Sequence, residues 1–362
     1  MKTPGTALMA GSLIVYSLTH GLVDAACAAL VFTIPRLYQL DGQWFFTLVI
    51  LYNILAFGLQ SPLGMLVDHL RQPRGSALAG CLVTAAAIPG LYLSPWLAVC
   101  LAGVGNALFH LGGGIVSLRL QPGRASLPGV FVAPGAVGLL AGTLVGKSGL
   151  VGPWLFPTLL VFAALVIYRL DTPSIDYQDC RTASVDRFGL VLLLVLTAVV
   201  SRSFIGAVLV FPWKESTYLL VGLTLAVALG KGLGGLLADR FGWIRVSITG
   251  LALSAPLVAL CSDRPYLAIP GVLLFNLTMP VTLTAAANTL PGHPGFAFGL
   301  TTLALLVGAL PQFFGFGTGL GRPTVFSLIL LSALVLLVGL RLYDNGSQTA
   351  LPSRRLEAVE SS

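Results

Sequence analysis

The sequence carries very little charge. Only 9% of its 362 residues are charged and 56% are hydrophobic, whereas a soluble domain has roughly 25% charged residues. So few charges cannot cover a surface that faces water, which excludes an ordinary soluble protein. The formal net charge of +7 comes from basic residues scattered between apolar runs. They form no basic stripe, so no nucleic-acid partner is expected.

Paired cysteines and catalytic motifs are also missing. Four of the five cysteines lie inside apolar runs and none forms a CxxC pair, which predicts neither a metal site nor a disulfide framework. The sequence has no HExxH motif, nucleophile–base set or carboxylate cluster. We therefore expect no enzyme activity, no cofactor and no bound metal.

Long apolar runs dominate the chain instead. A membrane-spanning helix needs about 20 mostly apolar residues, and this length predicts about twelve transmembrane helices in an all-α polytopic membrane protein. The predicted spans are Ala7–Ile34, Trp44–Val67, Gly75–Leu93, Trp96–Leu118, Pro128–Val145, Pro153–Leu170, Phe188–Val210, Ser216–Leu237, Val246–Leu260, Tyr266–Thr289, Phe296–Phe316 and Thr324–Tyr343.

The loop charges predict the orientation. With the N-terminus inside, thirteen of the 20 Lys and Arg residues fall on the cytoplasmic side and five on the other, and the remaining two lie within spans. This bias follows the positive-inside rule, with both termini cytoplasmic. The lipid bilayer is therefore a partner, and the predicted location is a bacterial cytoplasmic (inner) membrane.

A short motif occurs twice. Gly64-x-x-x-Asp68, followed by Arg74, recurs as Gly235-x-x-x-Asp239-Arg240, followed by Arg245. Both copies end the second helix of a half, which predicts gating motifs in two six-helix bundles related by a parallel repeat, the architecture of the major facilitator superfamily. The predicted parts are an N-terminal bundle at 1–170, a central cytoplasmic loop at 171–187, a C-terminal bundle at 188–345 and a polar, disordered tail at 346–362.

Four ionisable side chains fall near the predicted mid-membrane: His20, Asp24, His110 and Arg202. Each costs roughly 2.5–3.5 kcal/mol on insertion scales, so each is a functional candidate. Lys231 is less central, and its long side chain can reach toward the cytoplasm.

Asp24 is the only acidic residue deep in a predicted span. Three roles are open: proton carrier, permanent ion pair with Arg202, or substrate contact. The two histidines could take part in proton coupling or could make interhelical hydrogen bonds. The polar candidates for a substrate cavity are Asn106, Asn276 and Gln60.

Several motifs resemble the fosmidomycin-resistance-like branch of the major facilitator superfamily. They are His20-x-x-x-Asp24, Gln60-x-Pro62-Leu63-Gly64 with Asp68, the run from Gly103 to Phe109-His110, Phe131-x-x-x-Gly135-x-x-Gly138-x-x-x-Gly142, and the basic Arg202 in the seventh span. The resemblance implies proton-driven export of a small molecule, with the mid-membrane residues as coupling and substrate groups. The sequence departs from the branch after His110, where Leu111-Gly112 replaces the usual Pro-Glu.

These observations lead us to expect a monomeric secondary transporter that exports a small organic solute in exchange for protons. The alternatives are uptake or facilitated diffusion without protons and, from other classes, a transporter-derived membrane sensor or an intramembrane enzyme.

Overall fold

The computed structural model describes residues 6–149, 154–172 and 187–360, with no side-chain description for 346–360. Lys2, Cys180 and most of the predicted central loop lie outside the described residues. Within them the chain is a bundle of long α-helices, which confirms the all-α fold class.

Within the described ranges, twelve helical segments correspond to the twelve predicted spans, and we number them in chain order. They are α1 Thr6–Tyr38, α2 Gly42–Leu70, α3 Pro73–Gly90, α4 Pro95–Leu120, α5 Ser126–Ser148, α6 Leu155–Arg169, α7 Phe188–Val208, α8 Thr217–Phe241, α9 Trp243–Leu260, α10 Pro265–Thr289, α11 Pro294–Phe313 and α12 Arg322–Glu360.

Ten of these segments are long and apolar enough to cross a membrane by length and composition. The other two are α3 and α6. α6 has only 15 residues, and α3 begins with the polar run Pro73-Arg74-Gly75-Ser76 and is rich in Ala and Gly. Both still take the third and sixth places in the bundle.

Some boundaries differ from those predicted, for identifiable reasons. The eleventh helix ends at Phe313 instead of Phe316, because Gly315, Gly317 and Gly319 adopt positive φ angles that break the helix. The tail was predicted to be disordered, but its backbone continues α12 through Glu360. The last residues of that tail, Leu356 to Glu360, include good helix formers.

Two buried apolar clusters divide the molecule. One is built almost entirely from α1–α6 and the other from α7–α12. The exceptions lie where the halves touch, with Phe298 of α11 in the first cluster and Ala125 before α5 in the second. Large apolar side chains such as Leu193 and Phe162 remain exposed on the outside, as a lipid-facing surface requires.

The halves meet through two equivalent helix pairs, α2 with α11 and α5 with α8. A side chain at Gly64 would collide with the backbone of Gly295, and one at Gly235 would collide with the backbone of Ala125. Glycine at both repeat positions therefore allows a close approach between the halves.

Candidate functional site

A buried polar cluster lies in the N-terminal half. His20 and Asp24 are one turn apart on α1, and His20 Nε2 lies 3.3 Å from Asp24 Oδ2. Gly135 of α5 faces them, and a side chain there would come within 2.6 Å of the Asp24 carboxylate. The glycine thus leaves the space that the two polar side chains occupy.

α4 completes the cluster from the opposite side. His110 Nε2 lies 3.6 Å from Asp24 Oδ1, and Asn106 Nδ2 donates a 3.0 Å hydrogen bond to the same oxygen. The His20 and His110 rings meet edge to face, with centroids 4.4 Å apart. One carboxylate therefore contacts two imidazoles and an amide, and its side chain keeps 20% exposure.

Backbone carbonyls determine how the imidazoles are protonated. His20 Nδ1 lies 2.7 Å from the Phe131 carbonyl, and His110 Nδ1 lies 2.9 Å from the Asn106 carbonyl. Because a carbonyl only accepts, each Nδ1 carries the proton. In a neutral imidazole the Nε2 atom then presents a lone pair to the Asp24 carboxylate, which is also an acceptor. Either contact becomes favourable when a proton is added between the two groups.

The same three residues could also hold a metal ion. Their ligand atoms lie within 4.8 Å of one another, and histidine ligands commonly donate their second ring N–H to a carbonyl. Any test of proton binding at this cluster therefore needs a chelator in every solution.

The predicted pair between Asp24 and Arg202 is not formed in the described part of the chain. Asp24 faces α4 and α5 of its own half and contacts His20, His110 and Asn106. Arg202 points into a cavity of the C-terminal half. Of the three roles left open for Asp24, the ion pair with Arg202 is therefore not seen among the described residues, because sequence position does not determine which way each helix face turns.

That second cavity has a volume of about 360 Å³ and lies between α7, α8, α10 and α11. Arg202 and Lys231 line it, with Lys214 at one end. Arg202 is only 8% exposed, and its Nε atom has no hydrogen-bond partner in the described structure. The cavity is therefore cationic, in contrast to the cluster around Asp24.

Two of the three predicted cavity amides lie at these polar sites. Asn106 binds Asp24, and Asn276 lines the cationic cavity while donating to the Val272 carbonyl. Gln60 instead is fully buried near the contact between α2 and α11, where it donates to the Ala56 carbonyl. It is not among the residues that line the cavity.

The motif carboxylates link the two halves. Asp68, at the end of α2, accepts 2.8 Å hydrogen bonds from the backbone N–H groups of Gly295 and Phe296 at the start of α11. Asp239, at the end of α8, accepts bonds of 3.0 and 2.9 Å from Ala125 and Ser126 at the start of α5. Each carboxylate thus caps a helix N-terminus of the other half, where the positive end of the helix dipole also attracts it.

The basic motif residues have smaller roles. Arg74 donates to the Tyr168 carbonyl at the end of α6 and lies over the Tyr168 ring. Arg240 lies over the ring of Phe241, and Arg245 is exposed. These contacts of Arg74 and Arg240 are made within their own halves of the described chain.

Lys231 was not among the predicted cavity residues. The structure places it near the middle of α8 and in the same cavity as Arg202. A usable signal was available, because a lysine far from both ends of a span of about 25 residues cannot easily reach either membrane surface.

The fold has solved counterparts. A variant of the E. coli fucose:proton symporter, FucP, matches with a TM-score of 0.66 and 11% identity over 91% of this chain and 98% of that chain. A structure of FucP as a Major Facilitator Superfamily transporter in the outward conformation gives a TM-score of 0.59, with 12% identity over 91% and 99% of the two chains. This chain therefore has the major facilitator fold. No protein-family model and no curated protein matches its sequence.

Proposed function

We propose that this protein is a secondary transporter that moves a small organic solute across a bacterial cytoplasmic membrane by alternating access, coupled to protons at Asp24. The single observation that carries the proposal is the cluster of Asp24, His20 and His110. A buried ionisable cluster is costly in a membrane bundle and usually marks a proton or substrate pathway. The fold supports transport, since FucP, which shares it, is a fucose:proton symporter.

The cluster is suited to taking and releasing a proton. Its two Nε2 atoms and its carboxylate oxygens are all acceptors when the histidines are neutral, so an added proton has a place between Asp24 and either ring. Asn106 holds the carboxylate in position in both states, because its amide can donate to a charged or a neutral carboxyl group.

The two capping carboxylates supply the gate for alternating access. Asp68 and Asp239 hold the halves together at the ends predicted to be cytoplasmic. Opening that side has to break both pairs of hydrogen bonds. A solute cavity and a proton site that both lie deeper than these caps would then alternate between the two membrane faces.

Direction is a separate part of the proposal. The resemblance to the fosmidomycin-resistance-like branch implies export by proton exchange, and we adopt export as the proposed direction. Uptake with protons is the second candidate, favoured by the printed function of FucP. The two differ in whether solute and proton move oppositely or together.

The test uses membrane vesicles of both orientations with chelator present throughout. A pH-sensitive dye reports proton movement when small carboxylates, sugars and amines are added one at a time. Asp24→Asn should abolish solute-linked proton movement while solute exchange survives, because exchange needs no net proton transfer. Asp263→Asn is the matched control, since Asp263 is exposed and pairs with Arg322 on the surface.

Retention of wild-type proton movement by Asp24→Asn, at equal amounts of folded protein, would contradict the coupling role. If protons move in the direction opposite to the solute, the result supports export by exchange. If both move in the same direction, the protein is a symporter and the proposed export is wrong.

A further inference from the structure

The cationic cavity is the main polar feature that proton coupling does not explain. Arg202 and Lys231 both line it, yet neither makes a hydrogen bond or ion pair with any described residue. No Asp or Glu is among its lining residues. Arg202 and Lys231 therefore share one cavity whose lining contains no acidic residue, and Asp24 attracts Lys231 from outside that lining without forming an ion pair with it.

From this arrangement we propose that the cavity binds the transported solute and that the solute is an organic anion, held through carboxylate or phosphoryl oxygens by Arg202 and Lys231. The inference rests on the proposed transport function and specifies its substrate class.

Arg202 is buried without a partner among the described residues. Removing a cation from water costs several kcal/mol, and buried charges are normally paired. Asp24 follows that rule, with two imidazoles and an amide around it. Arg202 does not, although it is only 8% exposed. An anion that enters the cavity supplies Arg202 with the partner that no described residue provides.

The two side chains suit different parts of anion recognition. A guanidinium presents a rigid fork of N–H donors that matches the two oxygens of a carboxylate or phosphoryl group. The Arg202 Nε–H, which has no acceptor, is one of the donors available for that fork. Lys231, from the neighbouring helix α8, adds a point charge on the same group.

The remaining walls define the rest of the solute. Phe275, Val272, Val227 and Leu223 are apolar, and Asn276 and Ser203 add a few polar groups. Such a mixture is typical of sites for small molecules, whose volumes begin at roughly 300 Å³. The lining therefore fits one anionic head on a compact, largely apolar body. A sugar with many hydroxyl groups would find too few hydrogen-bond partners.

The experiment measures binding, so it does not depend on proton coupling. The full-length protein in detergent is titrated with benzoate and phenylphosphonate, and with benzamide and benzylamine as neutral and cationic analogues, at constant ionic strength. Thermal unfolding reports occupancy, because a ligand that binds only the folded state raises Tm with its concentration.

We expect benzoate or phenylphosphonate to raise Tm and the neutral and cationic analogues to leave it unchanged. Arg202→Gln and Lys231→Gln should each reduce the apparent affinity at least tenfold, whereas Arg264→Gln, at an exposed cation outside the cavity, should not. If the Gln variants do not fold, Arg202→Lys and Lys231→Arg serve instead, with a smaller loss expected.

The proposal is overturned if the anions do not raise the Tm of the wild type, or if they raise the Tm of the cavity variants with unchanged affinity. Equal binding of benzamide overturns it as well. These failures are distinguishable from failure of the transport proposal. If a neutral solute moved together with protons, the transport proposal would stand and the anion proposal would fail. If anions bound to the cavity but nothing was transported, the anion proposal would stand and the transport proposal would fail.

Discussion

The helix pair α1 and α5 in the first half corresponds by the repeat to α7 and α11 in the second, yet the two pairs are packed differently. α5 places Gly138, Gly142 and Gly146 directly against the backbone of α1. In the described part of α7 and α11, the comparable backbone contact within the helices is made by Gly308. The first pair is thus fixed by close backbone contact, whereas the second leaves more space between helices.

The chemistry of the halves differs in parallel with the packing. The half with the close α1–α5 pair holds an acid with two imidazoles, and the half with the more open α7–α11 pair holds Arg202 and Lys231 beside a cavity of about 360 Å³. A proton requires donors and acceptors at fixed distances, which rigid packing preserves. A solute requires volume. The proposed proton site and the proposed solute site therefore lie in halves whose corresponding helix pairs carry different small residues.

Separating α1 from α5 should have the largest effect on this difference in packing. In Gly138→Ala the added methyl group would meet the backbone of Gly21, which cannot rotate away, so α1 and α5 must separate. We expect a loss of about 1–3 kcal/mol of stability, as for other overpacked sites. Thermal unfolding in detergent measures it.

Gly189→Ala on α7 is the matched control, since nothing lies within 4 Å of the added carbon. It should be neutral or slightly stabilising, because Ala favours a helix over Gly. Equal destabilisation by both changes would remove the distinction between the two halves.

A smaller effect is expected at the two capping carboxylates, Asp68 and Asp239, where the halves make equivalent contacts. Asp239→Asn and Asp68→Asn each weaken two charge-assisted hydrogen bonds to backbone N–H groups. We expect each to shift the population about tenfold toward the state open at that end, which corresponds to about 1.4 kcal/mol. Spin-label distances between the ends of α2 and α11, and of α5 and α8, measure the shift.

Solute affinity should change little in either capping variant, because both carboxylates lie outside the cavity lining. A response to Asp239→Asn without one to Asp68→Asn would show that the two caps do not share one gating role.

Much of the fold could be predicted from the sequence because membrane helices have a fixed minimum length. The spacing of His20 and Asp24 on one helix face also required only helical geometry, and the structure places them in contact. The repeated Gly and Asp were predicted as gating motifs, and they lie where the halves meet. Local geometry and repetition were sufficient for these features.

Contacts between helices could not be predicted in the same way. Whether Arg202 reaches Asp24 could not be read from the sequence, because rotation of a helix about its axis depends on packing with several neighbours. The carbonyls of Phe131 and Asn106, which orient the two imidazoles, carry no sequence signal at all. Lys231 could have been selected by its distance from both ends of its span, but its place beside Arg202 depends on how the helices pack.

The proposed proton site in the N-terminal half can be tested by counting bound protons, without knowing the solute. Purified wild-type protein and Asp24→Asn are titrated in unbuffered, chelator-treated detergent solution between about pH 4 and about pH 9, which covers free carboxyl and imidazole groups. If the Asp24 cluster carries the coupling proton, the wild type should bind about one more proton per chain than the variant. Arg202→Gln should match the wild type. Identical titration of the wild type and Asp24→Asn would contradict proton binding at this site.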